Sequence, residues 1–270
     1  MRRTAKKSLG QHFLIDKTVV SRITNALTPA SNETVIEIGP GTGVLTQALA
    51  SCAHRVIAIE LDDHLAAQLR EQYSGTNVEV IHGDALEVKP RDLLKSDEPY
   101  LLAGNLPYNI AQPLIRRFLE ADLPPRRLVV MVQAEVANSI VAEVGSMSIL
   151  SVAVQLYGEP RQLFQVPPSA FQPPPNVQSA VIRIDVTPGL RADVQDRDAF
   201  FKIVRAGFSS RRKQIRNALA NGLRIDSAKS TALLRAANID PTLRPQAISL
   251  DAWALLERAW TESGRPEGSP

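Results

Sequence analysis

One cysteine in 270 residues, Cys52, rules out an internal disulfide framework and a cysteine-built metal cluster. Set among small and apolar residues, Cys52 reads as packing and not as a nucleophile. No run of about 18 apolar residues exists, so no segment has the length to cross a bilayer as a helix. The N-terminus, Met1-Arg2-Arg3-Thr4-Ala5-Lys6-Lys7, is basic but lacks the apolar stretch that follows in a secretion signal. A cytoplasmic location is expected. Net charge is also scarce: +3, from 31 basic and 28 acidic residues.

Acid is missing unevenly. Residues 1–11 hold Arg2, Arg3, Lys6 and Lys7 and no carboxylate. Between Ala199 and Gly222 lie Lys202, Arg205, Arg211, Arg212, Lys213 and Arg216, again with none. Two positive blocks on a nearly balanced chain suggest a polyanion bound on one face. A solvated charged helix is the plainer reading, though six bases with no acid make an unusual one.

What is present is an apolar fraction of 44%, enough for a real core. The length suits a large domain with a smaller one. Asp16 stands where a helix through Leu27 would be capped, with Val19, Val20, Ile23 and Leu27 on one face. Strands are expected at Thr34–Ile38, Arg55–Ile59, Val78–Ile81, Tyr100–Ala103 and Leu128–Val132, alternating with helices. One of these helices carries Leu61, Leu65 and Leu69, and another runs from Ile110 to Leu119. That alternation predicts an α/β fold with a doubly wound, mostly parallel sheet. After Gln133 it loosens. A helix is expected over Ala134–Val144, Ser148–Leu156 is ambiguous, and the Pro-rich loop Val166–Pro175 precedes a strand at Ser179–Val186. Pro188-Gly189 reads as a boundary, beyond which the chain is helical over Asp198–Phe208, Arg211–Asn221, Ser227–Ala237 and Leu250–Trp260. The expected domains are 1–188, opening with a flexible basic tail over 1–11, and a helical domain over 189–262 that holds the second basic block. A disordered tail is expected over 263–270.

Gly39, Gly41 and Gly43 lie between a strand and a helix, where glycine lets the backbone turn sharply and approach a ligand. Glu60 ends the next strand, about 20 residues on, where nucleotide-binding α/β folds keep a carboxylate for ribose hydroxyls. The spacing is G-x-G-x-G, which weakens the case for a pyrophosphate and for a nicotinamide-dependent dehydrogenase. Glu37, just before the glycines, is expected to bring a negative charge that favours a ligand with a positive centre. Asp84, ending the third strand, suits an exocyclic amine such as that of adenine, or equally caps the next turn. S-adenosylmethionine satisfies all of these features.

The fourth strand ends in Gly104-Asn105-Leu106-Pro107-Tyr108-Asn109. Asn105 offers a carbonyl beside an amide, Pro107 stiffens the turn and Tyr108 presents a flat face at a strand's carboxyl end. The loop reads either as a clamp for a planar amine or as a capped βα turn.

Six segments then match a known family in order and spacing, from about Lys7 to Trp260. They are Gln11-His12-Phe13-Leu14, Glu37 through Gly43, Glu60-Leu61-Asp62, Gly83-Asp84-Ala85, Asn105 through Ile110, and the Phe208 to Asn217 block containing Arg211-Arg212-Lys213 and Arg216. They resemble the ribosomal RNA adenine dimethyltransferases, and within them the bacterial enzymes that act on the small subunit.

The resemblance implies a Rossmann-like class I methyltransferase sheet with one antiparallel strand near residue 182 and a small all-α C-terminal domain. S-adenosylmethionine is then the methyl donor, held by His12, Leu14, Gly39, Gly41, Glu60, Asp84 and Asn105, with no metal. It implies 16S rRNA of an immature small subunit as partner, dimethylated on two adjacent adenines near its 3′ end by a monomeric enzyme. Asn105 and the Leu106 carbonyl would accept the amine protons of the target base. Tyr108 would stack on that base, with Phe171 as the second face or merely a buried loop anchor. Arg205, Arg211, Arg212, Lys213 and Arg216 would hold RNA phosphate, with Arg212 and Arg216 on one helical face. Many members carry Asn where this chain has His12, so a side-chain contact there is altered while a backbone contact would survive. Two alternatives remain: an Erm-type enzyme acting on 23S rRNA, and a non-catalytic ribosome-assembly factor.

Overall fold

The computed structural model describes residues 12–94 and 98–264. The N-terminal basic tail, Gln11 and the last residues of the expected C-terminal tail, from 265 on, lie outside that range. In chain order the described residues open with strand β1 (Phe13–Leu14) and helix α1 (Lys17–Leu27), followed by β2 (Thr34–Ile38), α2 (Val44–Ala50), β3 (Arg55–Glu60), α3 (Asp63–Gln72) and β4 (Val78–His82). Then come α4 (Pro90–Leu93), β5 (Tyr100–Asn105), α5 (Ala111–Leu119), β6 (Arg127–Gln133), α6 (Ala134–Ile140) and α7 (Ile149–Gln155). The chain continues with β7 (Gly158–Val166), β8 (Phe171–Gln172), β9 (Ser179–Val186), α8 (Arg197–Phe208), α9 (Ile215–Leu223), α10 (Ser227–Ala236) and α11 (Leu250–Glu262).

Seven strands form one sheet in the order β4-β3-β2-β5-β6-β9-β7. The first five are parallel, and β9 runs antiparallel to β6, pairing Ile182 with Val130. The central strands are buried along their length, which is why they read as near-continuous apolar runs. Helix α1 starts where Asp16 accepts the Thr18 and Val19 N–H groups, and it buries Val19, Val20, Ile23 and Leu27. That face joins Val35, Leu101, Val129 and Val181 of the sheet in one core cluster. Full burial of each such side chain stabilises the fold by about 1.5–3 kcal/mol.

The order places β2 between β3 and β5, so the chain runs from β2 to one side through β3 and β4 and then returns to the other side at β5. Open α/β sheets have their ligand crevice at such a switch point. Gly104 sits at that junction: a Cβ there would lie 2.6 Å from the Ile38 carbonyl oxygen, so only glycine lets β5 end so close to β2.

Several elements depart from the sequence reading: α4 had no counterpart in it, α6 ends at Ile140 and not Val144, and α9 begins at Ile215 and not Arg211. Strand β7 likewise had none; its sequence is half polar and includes Pro160, which an edge strand tolerates because one side of its backbone is unpaired. The two-residue pairing of β1 with β8, Leu14 opposite Phe171, is also new.

The chain divides into two compact units, one running to Asn138 and resuming over Glu159–Thr187, the other comprising Ser139–Gly158 and the residues from Pro188 on. The ambiguous stretch 148–156 folds as α7, opened by a reciprocal capping box between Ser148 and Ser151. It is tied to the second unit by Arg191, whose N–H donates to the Leu156 carbonyl at 2.8 Å. Within that unit Phe208 packs against the fully buried Trp253, ring centres 5.7 Å apart. Gly222 allows α9 to approach Ala206 of α8, where a Cβ would meet backbone at 2.6 Å.

Candidate active site

A cavity opens at the carboxyl ends of β2, β3, β4 and β5, and the segment before α1 closes one side of it. His12, Leu14, Gly39, Gly41, Glu60, Asp84, Asn105, Leu106 and Tyr108 all line it.

The glycine loop earns its composition. Gly39, Gly41 and Gly43 have φ of 64, 57 and 81°, the left-handed region that side chains avoid. At Gly41 a Cβ would also come within 3.0 Å of the Phe13 ring. The loop is locked onto β3, since the Gly41 N–H donates to Glu60 Oε2 and the Asp62 N–H to Glu60 Oε1, each at 2.9 Å. Glu60 is only 5% exposed, yet each oxygen keeps a further lone pair for a hydroxyl. Asp84 commits Oδ1 to the Leu86 N–H at 2.9 Å, so it does cap its turn while its second oxygen stays available.

Glu37 corrects an expectation. It lines the cavity wall at 1% exposure, and its Oε2 has no hydrogen-bond partner. Burial, reinforced by the charge of Glu60, pushes its carboxyl up to about 8. At neutral pH it is therefore mostly a neutral acid, not the fixed negative charge the sequence suggested.

Around Asn105 the contacts are directional. Asn105 Nδ2 donates to the His12 backbone carbonyl at 2.9 Å. A carbonyl only accepts, so the carboxamide nitrogen must face His12, and Oδ1 is left to accept from elsewhere. The His12 ring lies at 5.8 Å and 26° to the Tyr108 ring, and its Nδ1 donates to the Pro173 carbonyl at 2.8 Å. The Tyr108 hydroxyl is hydrogen-bonded to Ser179 Oγ at 2.7 Å. Burial pushes the Tyr108 phenol up, so it remains neutral. His12 thus reaches Asn105 through its backbone and the Tyr108 loop through its ring.

Phe171 lies elsewhere. It is 3% exposed, sits in the core cluster opposite Leu14 and does not line the cavity, so this arrangement offers a loop anchor and not a second stacking face. By its spacing Leu61 belongs with Leu65 and Leu69 on a helix, but α3 starts only at Asp63, capped by Asp62. Leu61 is instead 49% exposed in the cavity wall, an apolar residue next to the carboxylate that would hold a ribose. Its position directly after a strand-end Glu was the signal that the helical pattern masked.

In the second unit Arg205 lies in the last turn of α8, Arg211, Arg212 and Lys213 occupy the turn that follows, and Arg216 is in the first turn of α9. Arg212 is therefore not on a helical face with Arg216, contrary to the sequence reading. All five are exposed, and none has a carboxylate partner among the described residues.

Residues 2–250 match the family model described as ribosomal RNA adenine dimethylase. The chain belongs to that family. Relatives named ribosomal RNA small subunit methyltransferase A include one from Dehalococcoides mccartyi, 43% identical, the alignment covering 96% of this chain and 89% of that protein. Another, from Desulfitobacterium hafniense, is 41% identical and covers 94% and 92%. Among solved structures, a dimethyladenosine transferase from Plasmodium falciparum shares the fold with a TM-score of 0.80 at 24% identity, covering 94% and 99%. The 23S rRNA methyltransferase ErmE gives 0.71 at 27%, covering 92% and 98%. A family of RNA adenine dimethylases is thus joined to a cavity whose acceptors suit an adenosyl group and an aromatic amine. Among the described residues no helix is long and apolar enough to cross a membrane.

Proposed function

We propose that this chain transfers methyl groups from S-adenosylmethionine to N6 of two neighbouring adenines near the 3′ end of small-subunit 16S rRNA. The observation that carries the reading is the fixed orientation of Asn105, whose Oδ1 is free to accept while Nδ2 is held by His12. The cavity fits the donor on its own chemistry. Glu60 and Asp84 offer acceptors for ribose hydroxyls and an exocyclic amine, Leu61 offers an apolar face, and Glu37 keeps an unpartnered buried oxygen for a cationic group. When bound, S-adenosylmethionine supplies an electrophilic methyl on a cationic sulfur.

The chain's own residues then do the aligning. Adenine N6 is a weak nucleophile because its lone pair is delocalised into the ring. Asn105 Oδ1 and the Leu106 carbonyl accept its two protons, which fixes the nitrogen and turns the lone pair into the cavity. No strong base is required, since the amine becomes cationic on taking the methyl and then releases its proton to solvent, while the two oxygens, as hydrogen-bond acceptors, stabilise the passing charge. Tyr108, pinned by Ser179 and backed by the His12 ring, gives the base a flat surface. A paired base could not enter, so the target is an unpaired or extruded adenine. Arg205, Arg211, Arg212, Lys213 and Arg216 contribute phosphate contacts that set affinity and register without reading sequence.

The likeness to ErmE favours one second reading, methylation of 23S rRNA. The higher identity of the small-subunit relatives weighs against it. Incubation with labelled S-adenosylmethionine and unmodified small or large subunits, followed by mapping of the label, separates them. Label on adjacent small-subunit adenines is expected. Label confined to the large subunit would overturn the proposal, and binding to small subunits with no label would leave an assembly factor.

A further inference from the structure

A second cavity, sharing no residue with the first, lies in the helical unit between α9 and the start of α10. It is an open groove of about 550 Å³, walled largely by exposed side chains. Lys213, Gln214, Asn217 and Asn221 wall it, and Ala220 and Ile225 supply apolar surface.

The spacing of the three amides puts them on one side of α9, while Ile215, Ala218, Leu219 and Leu223 are buried on the other. Gln214 stands at the N-cap but makes no capping bond, and the side chains of Asn217 and Asn221 are hydrogen-bonded to nothing among the described residues. Asparagine is a poor helix former, and glutamine gains nothing by replacing Ser or Asp as a cap. Asn217 and Asn221 lower the helix propensity of a nine-residue helix, and their side chains bond nothing among the described residues and stand exposed at the cleft beside Gln214, where a ligand can reach them. Lys213 at the rim, beside Arg212 and Arg216, makes that ligand anionic. Carboxamides meet adenine in a bidentate pair, and RNA exposes such edges where strands are unpaired.

We propose that this cleft binds one unpaired adenine nucleotide of RNA, with Lys213 on its phosphate, Asn217 and Asn221 on its base edge, and Ala220 and Ile225 against the ring. The proposal rests on the rRNA reading above and adds to it a second base-reading site, one that does no chemistry. The helical unit then carries sequence discrimination as well as charge.

The test compares wild type with the Asn217→Ala, Asn221→Ala double variant, by anisotropy with labelled 12-nucleotide oligoadenylate and oligouridylate. Alanine raises helix propensity at both positions, so the variant should melt at or above the wild-type temperature. The expected result is about a tenfold loss of oligoadenylate affinity, little change for oligouridylate and an unchanged salt slope. Asn221→Leu, which keeps size and stays uncharged but removes the amide, should lower oligoadenylate affinity in the same way. An oligoadenylate affinity within twofold of wild type, or equal losses for both RNAs, would overturn the proposal. Wild type binding neither RNA would also overturn the proposal, whereas the rRNA reading stands or falls separately, on the labelling of small subunits.

Discussion

At the scale of single residues the telling group is Glu37, a carboxyl on the cavity wall with one oxygen unpartnered. Its ordinary value of 4.5 rises to about 8, with burial the leading cause. The folded chain therefore keeps a proton that the unfolded chain has released, so stability is full below about pH 4.5 and declines until the folded group ionises near pH 8. Glu37→Gln removes that decline. Thermal melts should superimpose on wild type near pH 5, and the variant should melt roughly 5 °C higher near pH 8.5; parallel curves across that range would contradict a buried neutral acid. A cationic methyl donor beside Glu37 should also expel its proton. Calorimetric titration at pH 7 would then show a binding enthalpy that varies with the buffer's ionisation enthalpy, and no variation would place the donor's charge elsewhere. Asn105 makes the complementary case. Asn105→Ala is expected to lower kcat by about 10²–10³ while donor affinity changes by less than about threefold, since Glu60, Asp84 and the glycine loop stay in place. Equal losses in both would remove the amine-aligning role.

Among the elements, the junction of β2 and β5 shows why so much of the site was legible. The strands that carry it are apolar runs ended by glycine and a polar residue, a local pattern with a local cause. Gly104→Ala tests that junction. The new Cβ would meet the Ile38 carbonyl, so the strand ends must part, at a cost of about 1–3 kcal/mol, and the cavity between them must change shape. Urea unfolding should show that loss together with weakened donor binding; wild-type stability would mean the strands are free to shift. What could not be read was long-range or masked by a stronger pattern. No periodicity announces that Leu14 pairs with Phe171, yet that pairing buries Phe171 and withdraws it from the site. The His12 ring reaches Pro173 and Tyr108 across contacts that only the folded chain creates. Leu61 fell into step with Leu65 and Leu69 and so passed for helix. Arg211 to Lys213 were drawn into α9 by the residues after them, although Ser209-Ser210 just before are turn formers.

For the whole molecule the governing fact is how charge is shared out. A chain of net +3 has little long-range pull on a polyanion, so attraction must come from where its bases stand unopposed. The first unit neutralises several of its own: Arg126 pairs with Glu33 at 2.8 Å, and Asp185 holds both Arg127 and Arg183. In the second unit the Arg212 and Arg216 side chains are exposed and have no carboxylate partner among the described residues; the bonds Arg216 makes, to Ser230 and Pro241, are through its backbone. Replacing both with alanine should therefore leave stability within about 0.5 kcal/mol of wild type. Each phosphate they neutralise releases counterions, so the slope of log affinity against log salt should flatten by roughly 1.5 when both are lost. Donor binding, which belongs to the first unit's cavity, should not move. Binding of unmodified small-subunit RNA measured from about 50 to 200 mM salt reads this directly. Weaker binding with an unchanged slope would mean that the two arginines act other than through phosphate, and unchanged binding would move the RNA to another face of the protein.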